Sequence, residues 1–113
     1  MELTHVKKGE NIIITIKGRL DAVTAPVADN AIKKIMEEDC RRVLFNLDDL
    51  EYLSSSGLRV ILGVAKEIKR NESKLVLCSL NQFVKEIFEV SGFESLIPIE
   101  DTVESGIEQL NAN

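Results

Sequence analysis

The sequence predicts an α/β protein with a mixed, mostly parallel central sheet flanked by helices, in the order β-β-α-β-α-β-α-β-α. Three observations carry that expectation. Short β-prone runs alternate with stretches of helical periodicity, the pattern of parallel strands joined by helical crossovers. The first two runs are separated only by Lys8-Gly9-Glu10, a glycine-containing break that reads as a hairpin and makes one pair antiparallel. The run Arg42-Val43-Leu44-Phe45-Asn46-Leu47 is apolar almost throughout, as an interior strand is when both of its faces are covered.

The opening extended segments are Leu3 to Lys7 and Asn11 to Lys17. In the second, Ile12, Ile14 and Ile16 share one face at period two, with Ile13, Thr15 and Lys17 on the other. Gly18-Arg19-Leu20-Asp21 then leads to a helix. Thr24 is its expected N-cap, and Pro26 falls in the first turn, where a missing N–H costs little. Val27, Ala31, Ile32, Ile35 and Met36 follow at helical spacing, and Glu37-Glu38-Asp39 ends the pattern. After the strand Val43 to Leu47 comes an acidic linker, Asp48-Asp49-Leu50-Glu51, and then Leu53-Ser54-Ser55-Ser56-Gly57-Leu58. The next helix sets Leu58, Ile61, Leu62, Ala65 and Ile68 along one stripe. It ends near Lys69-Arg70-Asn71, with positive charge at the negative end of its dipole. Leu75 to Cys78 is another short buried strand. Asn81 caps a helix with the apolar face Val84, Ile87 and Phe88, and Gly92 is its stop. Leu96-Ile97-Pro98-Ile99 reads as an edge strand, because proline cannot donate to a ladder. Asp101 or Thr102 starts a last helix carrying Val103, Ile107 and Leu110.

A chain of 113 residues makes one domain, 1–113, with a single core. Its 44% apolar and 29% charged content is that of a soluble globular protein. No apolar run approaches the roughly 18 residues of a membrane span. Met1-Glu2-Leu3-Thr4-His5 lacks the basic and apolar regions of a signal peptide, so a cytoplasmic location is expected. The net charge of −5 argues against nucleic acid and anionic membranes, since no basic patch exists to release counterions. It favours a protein partner with a basic face. Cys40 and Cys78 form no metal-ligand spacing, and Cys78 reads as a small buried hydrophobe. His5 sits near the N-terminus without an evident acid or cysteine partner for catalysis, and reads as an exposed or edge-strand residue.

Chemistry therefore concentrates at Ser54-Ser55-Ser56. Serine before a helical pattern is a good N-cap. The same position offers unpaired amides and the positive end of the helix dipole to an anion such as phosphate. A cap and a phosphate-bearing site are both consistent with the residues. The chain contains neither GxGxxG nor GxxxxGK[ST], so no phosphate loop for nucleotides is present. No GxSxG elbow surrounds the serines, and the one histidine is distant in sequence, which removes a catalytic triad. A receiver-like magnesium site would need further acids after the first strand and a later lysine; Asp48-Asp49-Glu51 reads instead as a solvated turn. No catalytic residue, metal or cofactor is expected, and the protein is not expected to be an enzyme.

Gly18-Arg19-Leu20-Asp21, the strand Val43 to Leu47, and Ser54-Ser55-Ser56-Gly57-Leu58 together resemble the STAS domains, specifically the bacterial anti-sigma-factor antagonists. The resemblance covers essentially the whole chain and carries a fold and a function with it. It implies a partner-switching protein. The unphosphorylated domain binds an anti-sigma factor, which is also a serine kinase, and so frees a sigma factor for transcription. The kinase uses ATP to phosphorylate the serine before the glycine, Ser56 here, and a serine phosphatase restores the binding form. Many members have aspartate where this chain has Ser54, which leaves the loop less acidic and adds a hydroxyl, making Ser55, the second choice, or even Ser54 a candidate acceptor. Partner contacts are expected at Asp21, Ser54, Ser55, Gly57 and Arg59. Asp21 reads equally as a turn or capping residue or as a group beside the serine loop that orients the acceptor or the kinase. Leu58 is expected in the core. The free protein is expected to be a monomer. Alternatives are a STAS module that senses a ligand or nucleotide, or an adaptor subunit of a larger signalling or transport assembly.

Overall fold

The computed structural model describes residues 1–37 and 42–112; Cys40, and the Glu38-Asp39 end of the first helical pattern, lie outside them. The chain opens with an antiparallel hairpin of β1 (Glu2–Lys8) and β2 (Asn11–Leu20), in which Leu3 faces Ile16 and His5 faces Ile14. Helix α1 (Ala25–Met36) crosses to β3 (Arg42–Asn46), which runs parallel to the first half of β2 with Ile12 opposite Val43 and Ile14 opposite Phe45. A short strand β4 (Leu50–Leu53) and helix α2 (Ser55–Arg70) lead to β5 (Lys74–Cys78), parallel to β3. Helix α3 (Gln82–Ser91) and a single 3-10 turn (Phe93–Ser95) reach β6 (Ile99–Glu100), and α4 (Val103–Asn111) closes the order. The strands lie in the order β1-β2-β3-β5-β6, with β4 paired to β2 off that path. The expected mixed, mostly parallel sheet is therefore present. Of the expected edge strand Leu96-Ile97-Pro98-Ile99, only Ile99 is in β6: Leu96 closes the 3-10 turn, and the strand starts after Pro98, which cannot donate to a ladder, and lies at the sheet edge.

One strand is additional to those expected. The acidic linker contains β4, which pairs in parallel with the second half of β2, Gly18 opposite Leu50 and Leu20 opposite Leu53. The exchange of partner is made at Gly18, where the register shifts and φ is +88°, a conformation open to glycine and costly for other residues. Its amide donates to the Asp49 carbonyl at 2.9 Å. Strand β2 thus serves β3 with its first half and β4 with its second, and runs three residues beyond the expected Lys17. Asp48 and Asp49 remain exposed in the turn ahead of β4, and Lys17 reaches Asp49 at 3.8 Å.

The apolar runs become intelligible once both sheet faces are covered. Val43, Phe45, Leu75 and Leu77 point into the larger core with Ile12, Ile14 and Ile16, beneath Ile32 of α1, Ile61, Val64 and Ile68 of α2, and Phe88 of α3. The alternate residues Leu44, Val76 and Cys78 face Leu110 of α4, with Ile13, Val103 and Ile107 at the margin. Cys78 is fully buried, and that burial pushes its thiol above the usual range. His5 is exposed on the edge strand β1. Asn81 caps α3 by accepting the Val84 amide at 2.8 Å, and its Nδ2 donates to the Leu50 carbonyl at 2.9 Å, which ties α3 to β4. Gly92 ends α3 in the left-handed region. Thr102 caps α4 in a reciprocal box with Ser105. Among the described residues, no helix is long and apolar enough to cross a membrane.

Candidate functional site

Helix α2 begins where β4 ends beside the last residue of β2. The Ser54 amide donates to the Leu20 carbonyl at 3.0 Å, and the Ser54 carbonyl accepts the Leu58 amide at 2.8 Å. Between these bonds Ser54 keeps an extended backbone, φ −92° and ψ 174°, and its Oγ accepts the Gly57 amide at 3.3 Å. Ser54 is thus the N-cap, and one of the unpaired first-turn donors is satisfied. Ser55 and Ser56 occupy the first two helical positions, Ser55 exposed and Ser56 half-buried. Gly57 is buried against β2: a Cβ there would lie 2.5 Å from the Leu20 carbonyl oxygen and 2.8 Å from a Leu53 methyl. The serine turn is pressed onto the sheet, and no side chain larger than hydrogen fits beneath it.

The cap supports a specific expectation. Ser54→Ala should cost about 1 kcal/mol of stability, whereas Ser54→Asp should keep it, because a carboxylate accepts the same amide and suits the positive helix end. Urea denaturation of the two variants checks this, and equal losses for both would contradict the cap.

Ser56 faces a shallow cleft of about 400 Å³ between the starts of α1 and α2, lined by Ala22, Ala25, Pro26, Asp29, Arg59 and Val60. Arg59 is exposed one turn beyond Ser56, and Leu58 packs half-buried against the core as expected. Asp29 is held by Lys33 at 2.9 Å. The cleft therefore offers one hydroxyl, one guanidinium, the Lys33-paired carboxylate of Asp29 and an apolar wall.

Asp21 closes the turn between β2 and α1. Its Oδ1 accepts the Val23 amide at 3.0 Å and the Thr24 amide at 3.1 Å, and lies 3.2 Å from the Thr24 hydroxyl. The Thr24 amide bond leads in holding this carboxyl below its ordinary range, despite some desolvation, and the Val23 amide adds to it. Thr24 stands at the N-cap position of α1, but its hydroxyl does not cap the helix. It donates to the Arg19 carbonyl at 2.8 Å and accepts the Asp21 amide at 2.9 Å. The turn-aspartate reading of Asp21 is what the geometry displays. Leu20, which precedes Asp21, is the residue bonded to Ser54, so the turn and the serine loop adjoin.

Two further features adjoin the loop that local sequence patterns did not reveal. Tyr52 of β4 stacks on Phe83 of α3, with ring centroids 5.7 Å apart and planes 19° from parallel. The Arg19 guanidinium lies 4.2 Å from the Tyr52 ring centroid, and its Nε is 3.8 Å from Asp21. Arg19 and Tyr52 are register partners across β2 and β4, so the arrangement depends on a strand pairing that periodicity did not indicate. Beside them, Val23 and Val27 are 82% and 60% exposed, large values for valine next to a charged turn. The candidate site thus combines Asp21, Arg19, Ser54, Ser55, Ser56, Gly57 and Arg59 with an apolar and aromatic border. Among the described residues, no group of three or more His, Cys, Asp or Glu side chains could hold a metal ion.

The chain matches the STAS domain family over residues 3–106. BtrV of Bordetella bronchiseptica, assigned as an anti-sigma factor antagonist, is 36% identical over 105 residues, which is 93% of this chain and 90% of BtrV. Among solved structures, an anti-sigma factor antagonist from Mycobacterium paratuberculosis superposes with a TM-score of 0.91 at 16% identity, covering 98% of this chain and 94% of that one. The Bacillus protein SpoIIAA in its unphosphorylated form gives a TM-score of 0.83 at 21% identity, over 99% of this chain and all of SpoIIAA (100%). Its phosphorylated form gives 0.76 at 20% identity, over 97% of this chain and 100% of SpoIIAA. At those identities the structures establish a shared fold, and the sequence match establishes kinship: the chain belongs to the STAS domain family.

Proposed function

We propose that this protein is an anti-sigma factor antagonist whose binding surface is the serine turn, and that phosphorylation of Ser56 switches it off. Unmodified, it binds an anti-sigma factor that is also a serine kinase, and a sigma factor is released. The kinase transfers the γ-phosphoryl group of ATP to the Ser56 Oγ, with ADP as the leaving product, and a serine phosphatase reverses the change. The protein itself acts as a binding switch and contributes no catalytic group. Asp21, Ser54, Ser55, Gly57 and Arg59 form the contact surface around the acceptor.

One observation carries this reading: Ser56 sits at the second position of α2, half-buried on a cleft that also holds Arg59, while Ser54 is engaged as the cap. A phosphoserine adds about −1.5 to −2 charges and strong acceptor oxygens. At a helix start the amides and the dipole accommodate them without unfolding. A partner seated over Asp21 and the apolar border would meet new like charge and new bulk. Each 1.4 kcal/mol so lost weakens binding about tenfold, and a few kcal/mol release the partner. Kinship with BtrV supports the same reading.

Incubation with the matching anti-sigma kinase and ATP, followed by mass spectrometry of the peptide, tests it. Wild type and Ser55→Ala should each gain one phosphate, and Ser56→Ala none. A phosphate retained undiminished in Ser56→Ala would move the acceptor, and no phosphate on wild type would remove the switch.

A further inference from the structure

A second concave site lies at the opposite end of α2 from the serines. Leu62, Ala65 and Ile68 of that helix, with Phe93, Leu96 and Ile97 from the 3-10 turn and its exit, line a groove of about 460 Å³. Its volume falls within the roughly 300–1,000 Å³ typical of small-molecule sites, and apolar walls with few polar groups are their usual lining. Leu96 is 69% exposed at the mouth, whereas Ile97 beneath it is only 2% exposed. The groove is thus open at the surface and apolar at its floor.

The polar groups of the rim have one sign. Lys66, Lys69 and Lys74 border the groove, and no acid is among its described lining residues. That is a local reversal in a chain of net charge −5. Lys74 is committed elsewhere: its Nζ donates to the carbonyls of Gln109 and Ala112 at the end of α4. Lys66 and Lys69 are exposed and lie on the groove. The α2 C-terminus carries about half a negative charge, which two ammonium groups outweigh.

We propose that this groove binds a medium- or long-chain carboxylate, with the alkyl chain against Leu62, Ala65, Phe93 and Ile97 and the carboxylate between Lys66 and Lys69. A carboxylic acid with an ordinary pKa near 4 is ionised at neutral pH, so the anion meets the lysines while the chain leaves water. The site lies apart from the serine turn and does not depend on the switch proposed there.

Titration of the ¹⁵N-labelled full chain with sodium decanoate, followed by amide shifts, tests the site. Saturable shifts should cluster at Leu62, Ala65, Leu96 and Ile97, and Ser56→Ala should bind equally well. Decanol, which lacks the charge, and the double variant Lys66→Glu/Lys69→Glu should each bind on the order of tenfold more weakly. Leu96→Glu, at an exposed position that leaves thermal unfolding unchanged, should do likewise. Absence of saturable shifts, shifts scattered over the surface, or binding of decanol, or of decanoate to the lysine variant, as tight as that of decanoate to wild type would overturn the proposal. So would concentration-dependent dimerisation abolished by Leu96→Glu, which would make the groove an interface between two copies.

Discussion

Gly57→Ala is expected to destabilise the protein by about 2–3 kcal/mol and to displace the serine turn. Overpacking a filled site costs roughly 1–3 kcal/mol, and three features put this position at the upper end. The nearest obstacle, 2.5 Å from the added Cβ, is the Leu20 carbonyl oxygen, a backbone atom held in a strand. That same oxygen accepts the Ser54 amide at 3.0 Å, so moving it breaks the bond that seats the cap. The other obstacles, Leu20 and Leu53 side chains at 2.8 Å, are themselves fully or almost fully buried. Gly63 supplies the internal control. It lies on the same helix, exposed, with nothing within 4 Å of an added Cβ. Gly63→Ala should therefore stabilise by about 0.5–1 kcal/mol through helix propensity and loss of unfolded-state freedom. Chemical denaturation of both variants, read as opposite shifts of the midpoint, checks the pair. Equal effects would mean that α2 does not press on β2 as described.

Phe45→Ala should cost about 3–5 kcal/mol, the range for removing a buried aromatic ring with incomplete collapse of the cavity. Phe45 is fully buried on the central strand β3. Its register partners Ile14 on β2 and Leu77 on β5 belong to the same core, with Ile61 of α2. Sheet neighbours on both sides cannot close in without breaking ladder bonds, so the cavity persists. Such a loss is a large fraction of the roughly 5–15 kcal/mol that holds a domain folded. Phe45→Leu keeps part of the volume and should cost less. Midpoints from urea unfolding at constant slope distinguish the two variants, and near-equal values would contradict a tightly packed centre.

Most of the architecture was legible because it rests on local rules. The alternating isoleucines of β2 and the continuous apolar runs of β3 and β5 name their own burial. Asn81, Thr102 and Gly92 mark helix ends by side-chain or backbone chemistry that acts within a few residues. Strand β4 escaped because only Leu50 and Leu53 of its four residues are buried, and the acids before it resemble a solvated turn. Its stability comes from pairing with β2, roughly thirty residues earlier in sequence, and strand formation depends heavily on such context. The aromatic border followed β4 out of view, since Tyr52 meets Arg19 and Phe83 only in the folded chain. Thr24 misled for a related reason. Its residue type suits a cap, but Asp21 and the Arg19 carbonyl compete for its hydroxyl. At the serine turn, spacing alone indicated a helix start, and geometry divided the three hydroxyls between a cap, an exposed side chain and one facing a cleft.

Phosphate at Ser56 is expected to release a partner while the fold stays intact. The most direct measurement is the affinity of the anti-sigma kinase for the unmodified and the Ser56-phosphorylated protein, with the backbone amide spectrum of each recorded in parallel. A few kcal/mol of added repulsion predicts binding at least about a hundredfold weaker after phosphorylation, with amide shifts confined to the serine turn, the Asp21 turn and the start of α2. Unchanged affinity, or shifts spread through α2 and the sheet that report a refolded helix, would contradict it.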